Sequence, residues 1–97
     1  MEIDNVKVGG EKAWVCAEIG HNHGGDIERC KQLFKAAKEC GVDAVKIQKR
    51  FNKEVFTKAF YNSPYVNENA FAKTYGEHRE ALEFSFEQYQ ELADYCK

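Results

Sequence analysis

Residues 13–48 read AWVCAEIGHNHGGDIERCKQLFKAAKECGVDAVKIQ, and this stretch decides the fold. Ala13 to Ile19 is a nearly continuous apolar run of strand length, broken only by Glu18. Such runs mark strands buried on both faces, as in parallel sheets. Gly20-His21-Asn22-His23-Gly24-Gly25 interrupts the pattern, and Asp26 is a good N-cap. Ile27, Cys30, Leu33, Phe34, Ala37 and Cys40 then recur three and four residues apart, which gives a helix one apolar face. Gly41 suits a left-handed C-terminal cap, and a second strand follows from Val42 to Gln48. Strand, helix, strand is the βαβ unit, a parallel pair joined by a right-handed crossover.

Upstream, Ile3, Val6 and Val8 lead to Gly9-Gly10, which predicts a hairpin turning at those glycines and resuming at Glu11. Downstream, Lys49 to Phe84 has no long periodic segment. It carries seven aromatics between Phe51 and Tyr75 and the only proline, Pro64. A connection this long is functional or holds short helices, and Glu77 to Leu82 reads as one. Ser85-Phe86-Glu87-Gln88 is a capping box, with Phe84 and Tyr89 placed as its hydrophobic staple. Tyr89, Leu92, Ala93 and Cys96 form the buried face of that last helix, and a third parallel strand is expected beyond Lys97.

The 97 residues are 43% hydrophobic and 31% charged, with a net charge of -2. That is too apolar for a disordered chain. Interspersed charges leave no basic stripe for nucleic acid, no apolar stretch approaches the ~20 residues that span a bilayer, and no signal peptide opens the chain. Cys16, Cys30, Cys40 and Cys96 lack any C-x-x-C or zinc-finger spacing. Cys30, Cys40 and Cys96 fall on apolar faces and read as small core hydrophobes. Free thiols point to the cytoplasm.

The informative feature is polarity at strand ends. Residues two apart share a strand face. Trp14, Cys16 and Glu18 therefore point one way, and Ala44, Lys46 and Gln48 share a face opposite Val45 and Ile47. The Val/Ile face should pack on helices. The other presents Glu18, Lys46 and Gln48 at the C-terminal strand ends, where α/β folds bind ligands. Partly buried charges there need partners. One reading is a structural Glu18–Lys46 ion pair. The other is an anionic substrate site, with Lys46 holding a phosphate or carboxylate and Glu18 handling a proton or hydroxyl. The His21-Asn22-His23-Gly24-Gly25 turn is open to three readings: a plain turn, part of a metal site without a third ligand, or an anion cradle of backbone N–H groups. Lys49-Arg50 reaches an anion or is solvated. The loop aromatics read as packing first and a sugar platform second.

Three motifs in order carry a resemblance. Ala17-Glu18-Ile19-Gly20 with Asn22-His23 and Gly25-Asp26, then Asp43-Ala44-Val45-Lys46-Ile47-Gln48-Lys49-Arg50, then Thr74-Tyr75-Gly76-Glu77-His78-Arg79-Glu80-Ala81-Leu82-Glu83-Phe84, resemble the sialic acid synthase family over residues 13–97. The resemblance implies a transferase that condenses phosphoenolpyruvate with an N-acetylated amino sugar, N-acetylmannosamine in the type case, to give a nonulosonic acid and phosphate. Legionaminic and pseudaminic acid synthases are the alternatives within the family. It further implies a (β/α)8 TIM barrel, a divalent metal (Mn²⁺ or Mg²⁺), a C-terminal antifreeze-like domain and a homodimer.

On this reading, residues 1–97 are the N-terminal portion of the barrel, about two βα units behind a hairpin. The metal ligands and the C-terminal domain lie outside them, and the segment alone is expected to be inactive. Glu18 matches the family's glutamate beside the reacting carbonyl, Lys46 the lysine that binds phosphoenolpyruvate, and Gln48 the glutamine that contacts the sugar. Asn67 or Asn69 matches a sugar-contacting asparagine. Gly24 departs from the family, which often has Asn there. A reading from another class is a stand-alone, non-catalytic α/β module in which Glu18 and Lys46 simply pair.

Overall fold

The computed structural model describes residues 1–97. It opens with a hairpin of β1 (Glu2–Ile3) and β2 (Val6–Lys7), antiparallel, with Ile3 opposite Val6. The turn is Asp4-Asn5, both at positive φ (48° and 66°), and not Gly9-Gly10 as the glycine pair suggests. Two-residue hairpin loops require left-handed backbone, and the short polar side chains of Asp and Asn tolerate it. The hairpin therefore closes early, and Gly9-Gly10 lie in the bend that leads onward.

β3 (Cys16–Gly20) pairs in parallel with β4 (Ala44–Ile47), placing Cys16 beside Ala44, Ala17 beside Val45 and Glu18 beside Lys46. β3 begins three residues later than the apolar run suggests. At Val15 the Asp43 side chain replaces a neighbouring strand: its carboxylate accepts the Val15 N–H at 2.8 Å, while the Val15 carbonyl accepts the Asp43 and Ala44 N–H groups. The ladder slips between Glu18 and Gly20, where Gly20 takes φ +60°.

α1 (Ile27–Glu39) connects the two strands. Asp26 caps it by accepting the Glu28 and Arg29 N–H groups, and Gly41 ends it at φ +86°. Three short helices, α2 (Asn52–Val55), α3 (Lys58–Tyr61) and α4 (Tyr75–Ala81), fill the long connection. α4 starts two residues before Glu77 because the Thr74 hydroxyl accepts the Glu77 N–H. The loop aromatics pack on one another, with Tyr75 between Phe56, Phe60 and Tyr65 at centroid distances of 4.6–5.5 Å. α5 (Phe86–Tyr95) carries the expected reciprocal capping box on Ser85 and Gln88, and Phe84 meets Tyr89 edge-on at 5.9 Å.

The core lies on one face of the sheet. Ile19, Cys30, Phe34, Phe84 and Leu92 are buried, with Ala17, Val45 and Ile47 packed against them, so the Val/Ile face meets α1 and α5 as expected. The opposite face, with Cys16, Glu18 and Lys46, is open. The strands are thus covered on one face and not on both. Cys30 is fully buried, which pushes its thiol up to about 11. Cys40 and Cys96, expected in the core, are exposed helix caps. All four cysteines are free. The accessible surface is 7236 Å², against about 5,700 Å² for a compact protein of this mass. The exposed N-terminal hairpin contributes to the excess together with that open face. No helix is long and apolar enough to cross a membrane.

Two glycines at positive φ separate backbone strain from collision. A Cβ on Gly41 meets nothing, whereas one on Gly25 (φ +79°) runs into the Ala81 carbonyl oxygen. Gly41→Ala is expected to cost about 1 kcal/mol, and Gly25→Ala about 3 kcal/mol or more because backbone must also move. Urea unfolding of the two variants checks this, and equal losses would overturn it.

Candidate functional site

Glu18 and Lys46 are cross-strand neighbours at the C-terminal end of the parallel pair, on the open sheet face. The ammonium lies 2.9 Å from the carboxylate, with the side chains 62% and 48% exposed respectively. The sequence expectation of partly buried charges is therefore not met. No large desolvation cost attaches to the pair, and an exposed pair of this kind adds little to stability. The hydrogen bond from Lys46 to Glu18, and then their Coulomb attraction, raise the Lys46 pKa above its ordinary value and keep it a cation.

Gln48 lies just beyond the end of β4. Its side-chain oxygen accepts a hydrogen bond from the Arg50 guanidinium at 3.1 Å, and its carbonyl accepts one from the Tyr89 hydroxyl at 3.2 Å. Burial, then the charge of Glu83, pushes the Tyr89 phenol up to about 12, so it stays a donor. Asn67 closes a turn by accepting the Asn69 N–H and makes no hydrogen bond to Glu18, Lys46 or Gln48. The structure thus brings together Glu18 and Lys46, places Gln48 one residue past the end of β4, and leaves Asn67 and Asn69 in a separate exposed loop.

The His21–Gly25 segment is an internally bonded turn. The Gly25 N–H donates to His23 Nδ1 at 2.9 Å, the Gly24 N–H to the His21 carbonyl, and the Asp26 N–H to the His23 carbonyl. Those amides are engaged, which removes the anion-cradle reading. His23 is 1% exposed and stacks on Phe84 at 4.2 Å. Gly24, where the resembled family often has Asn, sits at φ +64°, a conformation both residues adopt readily. No three His, Cys, Asp or Glu side chains converge as ligands, so the residues present do not fit a divalent cation.

One residue the sequence reading passed over organises this end of the sheet. Glu83, its side chain 8% exposed, accepts hydrogen bonds from Lys49 Nζ at 3.1 Å and from the Arg50 backbone N–H, and lies 3.5 Å from His21 Nε2. An acidic residue between Leu82 and Phe84, both buried, was the available signal. Beside it, Lys49, Arg50, Lys53 and Tyr61 line an open cleft of about 540 Å³. Asn52, 2% exposed, lines it too, and neither of its amide atoms has a partner.

A profile described as NeuB family matches residues 33–97. Over 91 residues the chain is 44% identical to the N-acetylneuraminate-9-phosphate synthase of Mus musculus and 43% identical to that of Homo sapiens, covering 93% of this chain and 25% of each relative. It is 35% identical over 96 residues to the N,N'-diacetyllegionaminic acid synthase of Legionella pneumophila, covering 96% of this chain and 27% of that protein. The chain spans about a quarter of the length of these curated relatives. No solved structure matches significantly.

Burial is the largest influence on His21, His23 and His78 and lowers all three pKa values below 6.5. The folded state therefore favours neutral rings while the unfolded chain takes up protons near pH 6.5. This contribution to stability is present above about pH 6.5 and lost as pH falls below it. The melting temperature is expected to drop between pH 7.5 and pH 5.5. His23→Asn keeps an acceptor for the Gly25 N–H but cannot titrate, and should flatten that slope. An unchanged slope would overturn the assignment.

Proposed function

The chain belongs to the NeuB family, and from that premise we propose that residues 1–97 form the N-terminal part of a (β/α)8 barrel enzyme that condenses phosphoenolpyruvate with an N-acetylated amino sugar. The observation that carries the reading is the Glu18–Lys46 pair at the C-terminal strand ends, on the sheet face that no helix covers. Barrel enzymes build their sites at that end, and a barrel interior is where such a face belongs. The uncovered sheet face and the excess surface support a segment that packs against further strands.

The product is a nonulosonic acid, with N-acetylmannosamine as the acceptor. The names of the mouse and human relatives favour its phosphorylated form. Three phosphoenolpyruvate carbons added to a hexosamine make C6 of the sugar C9 of the product, so a 9-phosphate comes from a 6-phosphate. In the reaction, C3 of phosphoenolpyruvate attacks the sugar aldehyde, forming a carbon–carbon bond while the carbonyl electrons pass to oxygen. Water adds at the cationic C2, and the tetrahedral intermediate expels phosphate.

Lys46 supplies positive charge to the phosphate or carboxylate of phosphoenolpyruvate. A surface pair is weak, so a multiply charged anion readily takes the ammonium from Glu18. That exchange frees the Glu18 carboxylate beside the sugar's carbonyl and hydroxyls, where it handles a proton. Gln48, its amide oriented by Arg50, contacts the sugar, and Asn67 or Asn69 reaches it from the loop. The divalent metal associated with the family takes its ligands from outside these residues. Four free thiols suit the cytoplasm, and the full-length protein is a homodimer with a C-terminal antifreeze-like domain.

In the full-length protein, Lys46→Ala is expected to lower kcat/KM for phosphoenolpyruvate by about 100-fold or more, the loss of a charge-assisted contact. Steady-state phosphate release measures it, and unchanged kinetics would sink the assignment. The formed ion pair equally suits a non-catalytic module, which predicts that no combination of phosphoenolpyruvate, Mn²⁺ and amino sugar yields a nonulosonic acid.

A further inference from the structure

The long connection between β4 and α5 holds a short ribbon whose place against the sheet depends on one buried imidazole. Residues 63–75 fold back on themselves. The Tyr65 N–H donates to the Lys73 carbonyl and the Tyr75 N–H to the Ser63 carbonyl, both at 2.9 Å, around a bridge of Pro64 with Thr74. The tip carries Asn67 and Asn69, and Val66 to Asn69 are exposed. Within it the Asn67 side chain accepts the Asn69 N–H, and the Asn67 carbonyl accepts the Ala70 N–H. These bonds shape the ribbon and do not fix where its tip lies.

A single hydrogen bond joins residues 65–73 to the rest of the molecule: the Phe71 N–H donates to His78 Nδ1 at 3.2 Å. His78 is 7% exposed, on α4, with the Tyr65 ring against it at 4.5 Å. Burial, and then the charges of Arg79 and His21, lower its pKa below 6.5, so the ring is neutral at pH 7. An Nδ1 that accepts leaves the ring proton on Nε2. Beyond this bond, the Phe71 ring lies over the turn that follows β3, since a Cβ on Gly24 would stand 3.4 Å from Phe71 Cζ. The next residue, Gly25, seats the C-terminal end of α4 against the Ala81 carbonyl. Helix and ribbon thus rest on neighbouring glycines of one turn, and His78 ties the two together.

We propose that His78 is a positioning residue for the acceptor sugar: by accepting the Phe71 N–H it holds the 65–73 ribbon, and with it Asn67 and Asn69, beside the turn that Glu18 leads into. The assignment rests on the synthase reading above and on the sugar contact given there to Asn67 or Asn69. It adds the residue that fixes where those side chains stand. Without the bond, the ribbon keeps its own turns but swings about its stem, so the sugar meets a loop that must first be ordered. Phosphoenolpyruvate, held by Lys46 on the sheet, does not draw on that hold.

Full-length protein, wild type and the variants His78→Phe, His78→Asn and Phe71→Ala, is assayed with whichever of N-acetylmannosamine and its 6-phosphate the wild type uses. Phe keeps an aromatic ring among Tyr65, Phe71 and Tyr75 but accepts no hydrogen bond, whereas Asn keeps an acceptor. His78→Phe is expected to raise the KM for the sugar about fivefold, the worth of one neutral hydrogen bond. Its kcat and its KM for phosphoenolpyruvate should change by less than about twofold, and His78→Asn should stay within about twofold of wild type in all three. Phe71→Ala, at a position 57% exposed, leaves the core intact and should raise the sugar KM alone. Equal rises in both KM values, no rise for the sugar, or His78→Asn behaving like His78→Phe would each overturn the proposal.

Absence of product from either sugar would refute the synthase reading, and amide hydrogen exchange then decides the hold by itself. The Phe71 amide is expected to be protected in the wild type, to exchange about fivefold faster or more in His78→Phe, and to stay protected in His78→Asn. Equal exchange rates in the three proteins would overturn the hold. So would a wild-type Phe71 amide that exchanges as fast as the exposed amides of Asn67 and Glu68, whatever the fold of the variants.

Discussion

A single carboxylate, Glu83, ties together the chain segments that leave the two parallel strands. It sits at the junction of α4 and α5, almost out of water, and draws in the Lys49 ammonium, the Arg50 backbone and the edge of His21. Those partners belong to the exits of both parallel strands. Removing its charge would leave the Arg50 backbone donor and the Lys49 ammonium without their acceptor, and an unmatched donor at a buried site is costly. The paths of residues 21 and 49–53, and with them the shape of the cleft, follow from this anchor.

The strand ends show a division of labour. One side is closed and dry: His23 stacks on Phe84, Gly25 lies against the Ala81 carbonyl, and Tyr89 clips the chain at Gln48. The other side is wet, and there Glu18 and Lys46 hold each other loosely.

Local patterns were legible wherever they rested on nearest neighbours in the chain. The Asp26 cap, the Gly41 stop, the α5 capping box and the face shared by Ala17, Ile19, Val45 and Ile47 all follow from spacing alone. The hairpin turn was misread because the glycine signal outweighed Asp4-Asn5, although both pairs tolerate left-handed backbone. Burial was misread because an apolar run reports what a strand is made for, while exposure reports what covers it. Val15 is half exposed and Cys16 exposed for that reason. Glu83 and Asn52 escaped because their significance is tertiary. Nothing in the spacing from Glu83 back to Lys49 or His21 foretells that they meet, and an asparagine after Phe51 looks like any loop residue. Of the site itself, Glu18 and Lys46 were legible as a pair, while the cleft beside them was not.

The βαβ unit closes over a short length of chain. Its lock, the Asp43 side chain on the Val15 N–H, is 28 residues apart, whereas the contacts that seat α5, Tyr89 on Gln48 and Glu91 on Lys31, are 41 and 60 residues apart. Shorter loops close at lower entropic cost. On a ribosome, where the chain is delivered from its N-terminus, β3, α1 and β4 can therefore assemble around Cys30 before α5 is made. The last helix then completes that core, adding Leu92 and Tyr89 to the cluster around Cys30.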